Sequence, residues 1–152
     1  MGTRHLTIVK SKGETKVAQY GQWDGYPTGQ GDTIAEFLKG ADLKKFRNQI
    51  KNLKEVTEAD RIEMDKKGND WKKEFPYMSR DTGAGILQMI HDDTVRFVYL
   101  DENFKDDGIS CEYYYTIDLD KETVSVNGGK EYTFKQWTRK GLMEKLEERD
   151  EE

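Results

Sequence analysis

Hydrophobic and polar positions alternate twice near the start of the chain, in "TRHLTIVK" and in "TKVAQYGQ", with "KGE" between them. A period of two with β-branched residues predicts two strands, and Gly13 supplies a tight turn, so this stretch reads as a β-hairpin. The period then lengthens. Asp32 or Thr33 can cap a short helix over "TIAEFLKG", which Gly40 ends. In "DLKKFRNQIKNLKEV", Leu43, Phe46, Ile50 and Leu53 recur at helical spacing and form one apolar stripe. Thr57 and Asp60 resemble a capping box opening "EADRIEMDKK", which Gly68 stops, and "NDWKKEFPYMSR" follows as an irregular aromatic connector. Asp81 or Thr82 caps another short helix, "TGAGILQMIHD", with Ile86, Leu87 and Ile90 facing a core. Beyond it, "TVRFVYL", "CEYYYTIDLD" and "ETVSVNG" predict three antiparallel strands, the last two joined near Lys121. "TFKQWTRKGLMEKLEERDEE" predicts a C-terminal helix. A hairpin, a helical middle, a β-meander and a terminal helix make an α+β fold. One domain over residues 1–143 and an acidic tail over 144–152 are expected.

Composition narrows the class. Hydrophobic residues make up 34% and charged residues 36% of the chain, but aromatics at 11% supply large buried areas, which favours a folded domain. Cys111 is the single cysteine, so no internal disulfide forms and a cytoplasmic setting is expected. No apolar run approaches the roughly 18 residues of a membrane span. "MGTRHLTIVK" lacks the apolar centre of a signal peptide. Leu6 stands where myristoylation after Gly2 needs Ser or Thr. No membrane association is therefore expected. Net charge is −5, of which residues 144–152 carry −4 through six acids and two bases. Between Lys39 and Lys54, six bases face Asp42 alone. The charge is segregated along the chain, which leaves room for an anionic ligand. A basic face opposite an apolar stripe is ordinarily just solvated, so specific nucleic-acid binding is not expected.

The residues with recognition chemistry concentrate in "VAQYGQWDGYPTGQGDT". Trp23 and Tyr26 offer flat faces for stacking, as Tyr20 could. Gln19 and Gln22 can donate to and accept from a ligand's polar edge, and Asp24 adds an acceptor. Gly29 and Gly31 precede a helix, where free N–H groups favour a phosphate. A second loop, "SRDTGAG", contributes Ser79, Arg80 and Asp81, with Arg80 suited to bidentate contact with a phosphate or carboxylate. Arg4 adds a cation beside the hairpin. The same residues equally suit a structural loop whose aromatics seal the core. In "YYY", Tyr113 and Tyr115 should face opposite to Tyr114, with cross-strand packing as the expected role. His5 and His91 lack the spacing of a zinc site, and Asp118 with Asp120 alone is a weak cation pair. No metal and no cofactor is expected.

The segment "MGTRHLTIV…KVAQYGQWDGYPTGQG" resembles the opening of a family of small proteins from bacteriophages, bacteria and some fungi, which begin MGTR and reach a YGQWDGYPxGxG signature; "SRDTGAGIL" is similar to a later stretch of the same family. The resemblance identifies relatives without naming a reaction. A phage setting implies counter-defence through sequestration or cleavage of a nucleotide signal of host immunity. The opening strand, turn and strand are also similar to the start of N-terminal-nucleophile hydrolases. This chain departs from them, because loss of Met1 exposes Gly2 rather than Ser, Thr or Cys.

Three readings follow. The first is a protein binding a nucleotide-like small molecule at Arg4, residues 19–31 and Ser79–Asp81; a homo-oligomer would suit such a sponge. The second is a small hydrolase in which Asp24 or Asp81 moves a proton. The third is a protein-interaction module using the acidic tail or the basic helix.

Overall fold

Strands β1 (His5–Ser11) and β2 (Glu14–Gly21) form the predicted hairpin in the computed structural model, which describes residues 4–21, 25–55, 82–95, 97–98, 113–139 and 141–151. Lys12 (φ 54°) and Gly13 (φ 75°) are both left-handed, as a two-residue type I′ turn requires. Helices α1 (Asp32–Gly40) and α2 (Leu43–Lys51) follow, then a two-residue strand β3 (Lys54–Glu55). A 3₁₀ turn at Gly83–Gly85 leads into α3 (Ile86–His91), followed by β4 (Phe97–Val98). Strands β5 (Tyr113–Asp118), β6 (Thr123–Val126) and β7 (Glu131–Thr133) precede helices α4 (Phe134–Trp137) and α5 (Leu142–Glu151).

The fold is α+β, with a five-stranded sheet in the order β2-β1-β5-β6-β7. Strand β1 is internal: it pairs antiparallel with β2 and parallel with β5. That position explains why both faces of β1 are buried from His5 to Val9. On one face, Val9, Val17, Tyr115, Ile117 and Val124 meet Ile34, Phe37, Phe46, Ile50, Ile86, Leu87 and Ile90 from the first three helices, with Trp137 and Met143 from the last two. On the other face, Leu6, Ile8 and Ala18 form a smaller buried cluster with Tyr20 and Tyr114 against it.

The expected meander is displaced along the chain. The stretch around Phe97–Val98 pairs in parallel with Lys54–Glu55 in a separate ladder, and the third strand of the meander is Glu131–Thr133. With three residues, of which Tyr132 alone is buried, β7 is too short to show a period of two. Its turn is nonetheless a local signal, since Asn127 (φ 53°) and Gly128 (φ 71°) repeat the left-handed pair of the first hairpin. The C-terminal helix is two helices. Thr133 and Gln136 form a reciprocal capping box that starts the first, and Gly141 (φ 87°) precedes the second. Helix α2 ends three residues before Lys54, so Leu53 lies outside it and only flanks the core. The expected helix over residues 58–67 and the aromatic connector lie outside the described residues.

A polar junction ties three helices together. The Asp42 carboxylate caps α2 by accepting the Lys45 N–H at 3.2 Å, while the Asp42 N–H donates to His91 Nε2 at 3.0 Å. His91 therefore carries its proton on Nδ1, which donates to Asp92 Oδ1 at 2.9 Å. Phe37 of α1 meets the His91 ring edge-on at 5.9 Å. Among the described residues no helix is long and apolar enough to cross a membrane.

Candidate functional site

At the end of the sheet away from the Lys12–Gly13 turn, β1 begins with His5 and β2 ends with its partner Gly21. The His5 side chain is 1% exposed. Its imidazole occupies the space that any side chain at Gly21 would need, and a Cβ at Gly83 would come within 2.6 Å of the same ring. Gly83 is also left-handed, at φ 48°. Gln30 reaches the same turn, its Oε1 accepting the Ala84 N–H at 2.9 Å. Glycines at 21 and 83 thus let the strand end, the segment around Gln30 and the 82–85 turn close on one imidazole.

Polar side chains continue inward from His5. Thr7 and Gln19 face each other across β1 and β2, both buried in the interior of the sheet. The Gln19 amide donates to the Tyr20 carbonyl at 3.3 Å. The Thr7 hydroxyl has no hydrogen-bond partner among the described residues, an arrangement that costs about 1–3 kcal/mol. Two aromatic donors pin the glycine-rich segment above this floor. Tyr115, which neighbours Thr7 on β5, donates its hydroxyl to the Gly25 carbonyl at 2.6 Å. Trp137 donates its indole N–H to the Gly31 carbonyl at 3.2 Å.

The segment itself folds differently from the expected capped helix start. Tyr26 is extended (φ −68°, ψ 162°), and Pro27 opens a π-helical turn, Pro27–Gly31, that runs straight into α1. Proline suits that first position because it has no N–H to leave unpaired. Gly31 is already helical and has no side-chain cap, so neither Asp32 nor Thr33 serves as the N-cap. The Gly29 N–H donates to the Tyr26 carbonyl at 2.8 Å. Gly31 is buried, and a Cβ there would lie 2.8 Å from Met143 Sδ. These two glycines therefore serve the turn and the packing of α5, not a free helix terminus open to phosphate.

The remaining expected site residues divide. Gln19 lies beneath the corner. Tyr20 is on the opposite face of the sheet, against Leu6, Ile8 and Ala18, so the two cannot line one pocket. Tyr26 is 37% exposed. Arg4 is exposed just before β1, and its carbonyl accepts the Tyr113 N–H at 3.4 Å. Gln22, Trp23, Asp24, Ser79, Arg80 and Asp81 lie outside the described residues. His5, Thr7 and Gln30 were not expected at the corner. The legible signal was that His5 and Thr7 are the polar members of the otherwise apolar first half of β1, His5 to Val9.

The other polar candidates are structural. Tyr113 and Tyr115 share a face and stack at 6.3 Å along one strand, while Tyr114 packs on the other side. Asp118 Oδ1 accepts the amides of Asp120 and Lys121 at 2.9 and 3.1 Å, and Asp120 Oδ2 accepts the Gly13 N–H at 3.2 Å. Both carboxylates are therefore committed to turns. Among the described residues no group of three or more His, Cys, Asp or Glu side chains is placed to hold a metal ion. The chain matches no protein-family model, no curated protein and no solved structure.

Proposed function

We propose that this protein binds a nucleotide-like small molecule at the open end of the β1–β2 hairpin and sequesters it, as a phage protein would to blunt a host immune signal. The observation that carries the reading is the closure of Gly21, Gln30 and the Gly83–Gly85 turn on His5. Trp23 is two residues beyond Gly21 in the chain, and Arg80 two residues before Thr82. The described flanks of the two segments richest in recognition chemistry thus meet at one corner. In this reading Trp23 and Tyr26 stack on the base, Gln22 and Asp24 contact its polar edge, and Arg80 with Arg4 takes the phosphates. Tyr20, Gly29 and Gly31 take no part.

Calorimetry with a panel of cyclic dinucleotides and ADP-ribose derivatives tests it. One member should bind near micromolar affinity. Trp23→Ala should weaken that binding by about 1–3 kcal/mol, the usual worth of a base–aromatic stack. Silence across the whole panel sinks the reading. Ligand recovered intact after denaturing the protein supports sequestration; new chromatographic peaks assign a hydrolase instead.

A further inference from the structure

The opposite end of the hairpin, roughly 20 Å along β1, carries a different kind of site. The Lys12–Gly13 turn, the solvent face of α2 and the β5–β6 turn enclose a cleft of about 730 Å³. Six bases line it (Lys12, Lys16, Lys44, Lys45, Arg47 and Lys51) against two acids, Asp42 and Asp120. In a chain of net charge −5, this is a local reversal of sign.

The acids in and around the cleft keep their charge, but each has a fixed partner, and the six lining bases outnumber the two lining acids. Asp42 caps α2, and Asp120 accepts the Gly13 N–H. Glu122 holds Arg47 at 2.9 Å, with the Leu119 carbonyl at 3.0 Å fixing the same guanidinium nitrogen. Glu14 pairs with Lys16 at 3.0 Å. Lys12, Lys44 and Lys51 form no ion pair among the described residues. Lys12 occupies the left-handed first position of the type I′ turn, where Asn, Asp or Gly is favoured, so a cation sits on the rim against local preference. Three ammonium groups from two separate elements, with one immobilised guanidinium between them, make a multivalent positive hollow.

We propose that this cleft binds a compact polyphosphate anion, with two or more phosphate groups joined or adjacent. Leu119 is its apolar lining residue and no aromatic side chain among the described residues lines it, so these residues offer no platform for stacking a base. Recognition falls to the charged groups themselves. The lysines converge on one concavity rather than tracking along the surface as successive phosphates of a strand would require. The site is separate from the His5 corner and does not depend on what binds there.

The test titrates the full-length chain with inorganic tripolyphosphate by calorimetry, with orthophosphate and a short DNA duplex in parallel. Tripolyphosphate should bind at least about tenfold more tightly than orthophosphate, and its affinity should fall steeply with added salt. Lys44→Glu/Lys51→Glu should weaken it by about tenfold or more, and Lys44→Gln/Lys51→Gln by less. The double variant Lys130→Glu/Lys135→Glu, with the same change in net charge away from the cleft, should bind as the parent does. Circular dichroism confirms that each variant is folded. Absence of tripolyphosphate binding, equal weakening by the control variant, or binding of the duplex alone would each overturn the proposal.

Discussion

A methyl group added at position 21 or 83 would meet the His5 imidazole, whereas one added at position 85 would meet nothing within 4 Å. Gly85 also has ordinary helical dihedrals (φ −59°, ψ −20°). Gly21→Ala and Gly83→Ala should therefore each destabilise the fold by about 1–3 kcal/mol, the usual cost of overpacking a closed site. Gly85→Ala should stabilise it by about 0.4–1 kcal/mol by restricting the unfolded chain. Urea unfolding of the three variants measures both signs at once, and equal effects at 21 and 85 would remove the argument for a closed corner. The glycines themselves were visible in the sequence, but the reason for them was not. Freedom of φ and room for a ligand look identical in one dimension to room for a buried imidazole contributed by another strand.

Between elements, the junction of α2 and α3 depends on a proton held in one place. The His91 Nδ1–H, first, and then the Gln88 amide at 3.1 Å, hold the Asp92 carboxyl below the usual carboxylate value. A lowered value in the folded state means that the unfolded chain takes up the proton first as pH falls. The contribution of Asp92 is therefore complete above its unfolded value, near pH 4, and is lost as pH falls through the depressed native one. The difference in unfolding free energy between the parent and Asp92→Asn should accordingly shrink as pH falls below about 4. A pH-independent difference would show that the carboxylate charge has no role there. At this scale the sequence was informative wherever a period had room to repeat. Helix α2 was legible from Phe46 and Ile50 alone, and the first hairpin from its alternation. Strand β7, with three residues, offered no repeat to read.

For the molecule as a whole, Trp137 closes the structure. It is fully buried, meets Tyr115 and Tyr132 each with ring centroids 6.0 Å apart, and donates to the Gly31 carbonyl. Trp137→Ala should cost about 3–5 kcal/mol through the cavity it leaves. Trp137→Phe keeps much of the volume but leaves the Gly31 carbonyl without its donor, a smaller loss of about 1–3 kcal/mol. Thermal melts followed by circular dichroism rank the two. Because the indole also pins the Pro27–Gly31 turn, Trp137→Phe should weaken any ligand bound at the His5 corner more than one bound at the lysine cleft.

By itself the sequence determined what neighbours along the chain decide: the first hairpin and its left-handed turn, the amphipathic α2, the short helices at Asp32 and Ile86, and the α+β class. These follow from contacts two to four residues apart, whose periods are written directly in the order of side chains. Tertiary structure alone decided that β5 lies parallel beside β1, that the face of β2 bearing Val17 and Gln19 is the one turned to the helices, and that Gly31 faces Met143 rather than a phosphate. It also decided that the lysines of α2 share a hollow with the Lys12 turn. Each of these depends on partners tens to more than a hundred residues apart, and alternation shows only that a strand has two faces, never which element covers each.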